Sequence, residues 1–133
     1  MVENGIESDL KFFIAEYFDS IEAIEVVLLL KNQSTRAWQP AELSAALRSS
    51  LPSIESRLAE QVRKGILVCD EQRGVRRYRY SPCQERIAEM MNQLGELFIL
   101  RRFTIINLLY SSELNTIRDF AKAFDLRRGP NDR

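Results

Sequence analysis

The stretch Leu51-Pro52-Ser53-Ile54-Glu55-Ser56-Arg57-Leu58-Ala59-Glu60-Gln61-Val62-Arg63-Lys64-Gly65-Ile66-Leu67-Val68-Cys69-Asp70-Glu71-Gln72-Arg73-Gly74-Val75-Arg76-Arg77-Tyr78-Arg79-Tyr80 changes its hydrophobic period midway. Up to Gly65, Leu51, Ile54, Leu58 and Val62 recur at about every fourth position, the signature of one buried helical face. Pro52 suits the first helical turn, where no amide is missed, and Gly65 suits the residue that ends the helix. Ser53, Ser56, Arg57, Glu60, Gln61 and Lys64 then face outward. Beyond Gly65 the period becomes extended. Ile66–Cys69 and Val75–Tyr80 are β-rich runs around the polar loop 70–74, which predicts a hairpin. Its second strand alternates Arg76, Tyr78 and Tyr80 with Val75, Arg77 and Arg79, so arginines occupy both faces. A two-stranded ribbon tolerates that only by projecting into solvent or onto a polyanion.

Upstream, the pattern is helical. Ser8 can cap a helix over about residues 9–18, and Ser20 a second over about 21–32, whose Ile21, Ile24, Val27, Leu28 and Leu30 place it at the centre of the core. Residues 34–38 can hold a minimal strand. Pro40 opens a helix reaching about Arg48, with Leu43, Ala46 and Leu47 inward. Downstream, Ser81-Pro82 opens a helical pattern to about Tyr110. Its Ile87, Met91, Leu94, Phe98, Ile105 and Leu108 follow a 4-3 spacing broken only by Arg101. An uninterrupted helix of that length would be about 40 Å long, so it must protrude, kink near Gly95 or pack on another chain. A last helix, about 114–126, turns Leu114, Ile117, Phe120, Ala121 and Phe124 inward and stops at Gly129-Pro130. With no repeat or linker visible, residues 1–133 read as a single domain: an N-terminal helix (1–19), a core (20–81) and C-terminal helices (82–128).

The 133 residues carry 19 basic and 19 acidic side chains and no histidine. The missing imidazole excludes His-based catalytic triads, His-ligated zinc and histidine pH switches, and no carboxylate spacing marks a catalytic pair, so no enzymatic activity is expected. Neither a metal nor a cofactor is expected. Cys69 and Cys83 form neither a zinc framework nor a CxxC pair and read as reduced thiols, Cys69 as a small buried side chain at a strand end and Cys83 in a first helical turn. The longest apolar run is Val26–Leu30, too short for a membrane span, and the first residues lack the basic region of a signal peptide, which points to the cytoplasm. The zero net charge is not uniform. Residues 1–31 hold two lysines against seven acids, net −5, whereas residues 62–81 hold six basic residues against two acids, net +4.

The order of helix, short strand, helix, turn, helix and hairpin, with the Trp38-Gln39-Pro40-Ala41-Glu42-Leu43 entry and the wing Asp70–Tyr80, resembles the winged helix-turn-helix transcription regulators of the MarR-like kind over about residues 20–81. The Tyr78–Pro82 exit and the Ile117–Phe124 segment are similar to small bacterial helix-turn-helix proteins. The fold class implied is mainly α with a small β-hairpin wing, extended by one N-terminal and two C-terminal helices. The resemblance implies that residues 52–64 enter the major groove of double-stranded DNA, with Ser53, Ser56, Arg57, Gln61 and Lys64 toward bases or phosphates. Arg73, Arg76, Arg77 and Arg79 of the wing would lie on flanking phosphates. Glu55 and Glu60 on the same helix repel phosphate, so most of the positive field must come from the wing. Met90, Leu97, Leu100 and Phe103 add more apolar surface than one small domain covers, which predicts a homodimer through the C-terminal helices. Trp38 reads as core or interface packing, and Tyr78 and Tyr80 as strand packing. The alternative to a DNA-binding regulator is a winged-helix module that binds another protein.

Overall fold

The structure, a computed structural model, describes residues 2–3 and 6–128, with side chains at 6–123. The chain forms β1 (Val2–Glu3), β2 (Ile6–Glu7), α1 (Ser8–Tyr17), α2 (Ile21–Asn32), α3 (Pro40–Leu47), α4 (Leu51–Arg63), β3 (Leu67–Gln72), β4 (Val75–Tyr80), α5 (Glu85–Leu100), α6 (Arg102–Leu109) and α7 (Ser112–Arg128). Two compact units result, one of residues 20–92 and one made of residues 1–19 together with 93–133. Helix α5 runs through the boundary between them.

The 20–92 unit is a winged helix. Ser20 caps α2 by accepting the Ala23 amide at 3.0 Å, as expected of it. Gln39 and Glu42 form a capping box at the start of α3, with Pro40 in the first turn. Arg48 ends α3 in the left-handed conformation (φ 55°). Ser50 caps α4 through the Ser53 amide. The unit's buried interior includes Ile24, Val27 and Leu30 of α2, Leu43 of α3, and Ile54 and Leu58 of α4. Full burial of one such side chain contributes about 1.5–3 kcal/mol.

Gly65 stops α4 at φ +86°, a conformation that a Cβ disfavours. The chain then turns into β3, which pairs antiparallel with β4 in the register Leu67↔Tyr80 to Gln72↔Val75. The loop is tighter than the five residues expected: Arg73 (φ 54°) and Gly74 (φ 79°) alone make the turn, because two successive left-handed residues match the twist of the strands. Trp38 adds a third, minimal strand. Its amide donates to the Tyr78 carbonyl at 2.8 Å and the Tyr78 amide donates back at 2.7 Å. The short strand expected in 34–38 is this bridge, and the Trp38 ring is buried as expected, at 4% exposure.

In the other unit, α1 packs along α7. Arg118 of α7 donates to the Ala15 carbonyl at 3.3 Å and to the Phe18 carbonyl at 2.9 Å, satisfying acceptors at the end of α1. Lys11, buried within α1, reaches Glu113 of α7 at 3.1 Å. Phe13 stacks on Tyr17 with ring centroids 4.6 Å apart and meets Phe18 edge-on.

Several local expectations are corrected. Helix α1 begins at Ser8 with Glu7 as its N-cap and no side-chain cap bond. Helix α5 passes straight through Gly95, and the break falls six residues later. There Arg101 leaves the helical region (φ −141°, ψ 52°) after its amide closes on the Leu97 carbonyl at 2.6 Å, and its own carbonyl starts α6 by accepting from Thr104 and Ile105. The Arg101 gap in the 4-3 stripe was therefore the break itself. Cys69 is exposed, because β3 leaves the body after Val68, and Cys83 precedes α5. Ala46 faces solvent, since Leu43 and the half-buried Leu47, four positions apart, already form the inner stripe of the short α3. Phe120 is 70% exposed, because α7 buries the row through Leu114 instead. Phe124 and Gly129-Pro130, assigned to the inner face and the stop of the last helix, lie outside the residues whose side chains or placement are described.

Candidate nucleic-acid interface

Helix α4 is the most strongly amphipathic element of the 20–92 unit. Its buried stripe runs Ile54, Leu58 and Gln61, and not through Leu51, which is 41% exposed at the helix start. That i, i+4, i+7 stripe corrects the placement of Gln61. Its side chain is 1% exposed and cannot face a ligand across the solvent side of the helix, whereas Val62 is half-buried. The solvent-facing row is Glu55, Ser56, Ala59 and Arg63, all exposed.

Two of the residues expected to face DNA are held from behind. Glu22 of α2 accepts a very short hydrogen bond from the Ser53 hydroxyl, and the Arg57 Nε donates to the same carboxylate oxygen at 3.1 Å. The pair is part-buried, with side-chain exposures of 27% for Arg57 and 22% for Glu22. The Ser53 hydroxyl, followed by Ser49 and Arg57, holds the Glu22 carboxyl below the usual carboxylate range, against the opposing effect of burial. At the far end of α4, Glu60 pairs with Arg63 at 2.6 Å and Lys64 at 3.4 Å. The Arg63 hydrogen bond is the main reason that the Glu60 carboxyl is also depressed. The positive charge expected of Lys64 is thus partly compensated within its own helix.

The wing distributes its arginines unequally. Arg76 is tied to Glu71 on the neighbouring strand at 3.2 Å. Arg73 sits in the turn and Arg77 on the exposed face, with Arg79 half-buried below it. Among the described residues no carboxylate lies within ion-pair distance of these three. On the opposite face Tyr78 is buried, and Tyr80, half-buried, has its phenol pushed up to about 12 by burial. The tyrosines anchor one face of the ribbon and leave the other to Arg77 and Arg79, as the alternation in β4 requires.

One basic residue went unrecognised in the sequence. Arg48 is exposed in the turn between α3 and α4, also without an ion pair to a described residue. Its only signal was a place in a serine-rich turn. Arg36, also exposed, lies 3.5 Å above the Trp38 ring and bonds Glu42 at 3.1 Å, so it is already engaged.

About four fifths of the chain superposes on known structures. It matches the adhesin competence repressor of Streptococcus pyogenes with a TM-score of 0.50 and 15% identity, covering 81% of this chain and 79% of that one. It matches ZitR of Lactococcus lactis with a TM-score of 0.46 and 12% identity, covering 80% and 73%. No protein-family profile and no curated protein sequence matches the chain. At such identities the likeness is one of fold: a mainly α winged helix with a hairpin wing, flanked by further helices, as the resemblance implied.

Proposed function

We propose that this chain is a transcription regulator that binds double-stranded DNA as a homodimer, without enzymatic activity, in the cytoplasm. In this reading the exposed row of α4 enters the major groove and the wing lies on flanking phosphates. The observation that carries it is the set of arginines on the wing, Arg73, Arg77 and Arg79, none within ion-pair distance of a carboxylate among the described residues, beside a helix whose outer row is open to solvent. Arg48 extends that positive surface to the other end of α4. Ser56 is the serine of α4 best placed for a base edge, while Ser53 and Arg57 are drawn toward Glu22. Gln61 has no part in it.

The dimer is supported by Ile99, Leu100 and Phe103, around the α5–α6 break, which are 82%, 79% and 78% exposed. Three adjacent large apolar side chains in water favour a covering surface, and a second copy of the chain supplies one. Two α4 helices presented by a dimer would meet half-sites about one helical turn apart, roughly 34 Å. Among the described residues, no helix is long and apolar enough to cross a membrane.

A salt titration of binding to mixed-sequence duplex DNA tests the proposal. Each neutralised phosphate adds about 0.9 to the slope of log affinity against log salt, so Arg73→Ala and Arg77→Ala should each lower the slope by about one. Arg76→Ala should lower it less, since Glu71 already neutralises that guanidinium. Absence of binding at about 50 mM salt would overturn the reading.

A further inference from the structure

We propose that Glu22 is a built-in competitor for DNA, a carboxylate that occupies the polar groups of Ser53 and Arg57 in the free protein and that DNA must displace to use them. The inference rests on the DNA reading above and names the residue that sets how strongly the α4 surface binds.

The geometry is specific. Glu22 belongs to α2, whose buried face packs in the core, so its backbone position is fixed by Ala23 and Ile24 at 2% and 0% exposure. From there one carboxylate oxygen collects both the Ser53 hydroxyl and the Arg57 Nε. Those two residues sit one turn apart on α4, on the edge of its outer row, where a phosphate oxygen would be received by a hydroxyl and a guanidinium. An anion already lies on the donors that such an oxygen would use. The pair is neither deep enough to be permanently shut nor exposed enough to be solvated away. A half-buried charged hydrogen bond is stronger than a surface one, so its loss offsets part of what a phosphate contact gains. The carboxylate therefore weakens binding to any duplex and penalises most the contacts that depend on Arg57. That fits a helix whose other cations, Arg63 and Lys64, are likewise held by Glu60.

The test compares the wild-type chain with Glu22→Gln, Arg57→Ala and the double variant, each checked for folding by circular dichroism, on one mixed-sequence duplex across a salt series. Glutamine still accepts the Ser53 hydroxyl but no longer holds the guanidinium by charge. Glu22→Gln should bind about tenfold tighter, with a salt slope about one unit steeper as Arg57 takes up a phosphate. In the Arg57→Ala background the same replacement should change neither. Equal or weaker binding by Glu22→Gln would overturn the proposal, showing that the carboxylate positions α4 and does not compete. A gain that persists without Arg57 would also overturn it, assigning the effect to bulk charge. Modification of arginine by phenylglyoxal supplies a second reading without DNA: Arg57 should react slowly in the wild type and faster in Glu22→Gln, with Arg77 as the fast internal reference. If no variant binds DNA, the DNA reading fails and the competitor fails with it. The modification rates alone would then show whether Glu22 holds Arg57.

Discussion

Replacing Gly65 by alanine should strip the wing of its anchor. Gly65 stands between α4 and β3 at φ +86°, and a non-glycine residue in that region carries about 1–2 kcal/mol of backbone strain. A Cβ there would lie 2.5 Å from the Cys83 Sγ and 3.6 Å from the Cys83 Cβ. The sulfur is exposed and can rotate away, so relief of that contact adds only about 1 kcal/mol, the scale of an off-rotamer side chain. The Cys83 amide bonds the Gly65 carbonyl at 2.8 Å and the Ser81 amide bonds Ile66 at 3.0 Å, so strain at this point reaches both the entry and the exit of the hairpin. The sum is a loss of about 2–3 kcal/mol, or a melting temperature lower by roughly 10 °C for a chain of this size. Urea and thermal unfolding followed by circular dichroism measure it. Cys83→Ala alone should be nearly neutral. The double variant should recover the contact part and keep the strain part. A loss below about 0.5 kcal/mol for Gly65→Ala, or full recovery in the double variant, would refute the left-handed conformation.

Three further outcomes follow from the same geometry. Glu22, Glu42 and Glu60 are held below the usual value of 4.5, chiefly by the Ser53 hydroxyl, the Gln39 amide and Arg63 respectively. A depressed carboxyl stabilises the fold fully above its unfolded value, and that contribution disappears as pH falls through the folded one. Stability measured by urea unfolding should therefore be flat above about pH 5.5 and decline below 4.5, less steeply in Glu22→Gln; equal acid limbs would deny the Glu22 contacts. Sedimentation at tens of micromolar should show a dimer that Leu100→Asp with Phe103→Asp converts to a folded monomer, and a monomeric wild type would retire the two-half-site arrangement. Trp38→Ala empties a buried site that also carries the third strand, so it should destabilise by about 3–5 kcal/mol, and a loss under 1 kcal/mol would contradict its burial.

What could be read in the sequence was what local periodicity controls. The helix from Leu51 to Arg63, its end at Gly65 and the two strands of the wing follow from spacing, proline and glycine alone. The error at Gln61 arose because an amphipathic helix fixes which residues can share a stripe but not how it rolls on its neighbour. Val62 and Gln61 lie about 100° apart, and tertiary contacts chose between them. The break at Arg101 was visible as a gap in a stripe, yet Gly95 is the stronger helix breaker by propensity, and packing overrode it. Glu22 carried no signal at all. It lies 31 residues before Ser53 and 35 before Arg57, so only the folded chain brings the three together.

The contacts between α1 and α7 set an order of events during synthesis. The hydrogen bonds of Arg118 to Ala15 and Phe18 span 103 and 100 positions, and Lys11 reaches Glu113 across 102. None can form until the ribosome has made α7, whereas the winged helix closes its contacts within residues 20–92. During that interval the Ala15 and Phe18 carbonyls at the end of α1 still lack the Arg118 donor that closes on them. The wing can thus be complete on a nascent chain whose other half is still being translated.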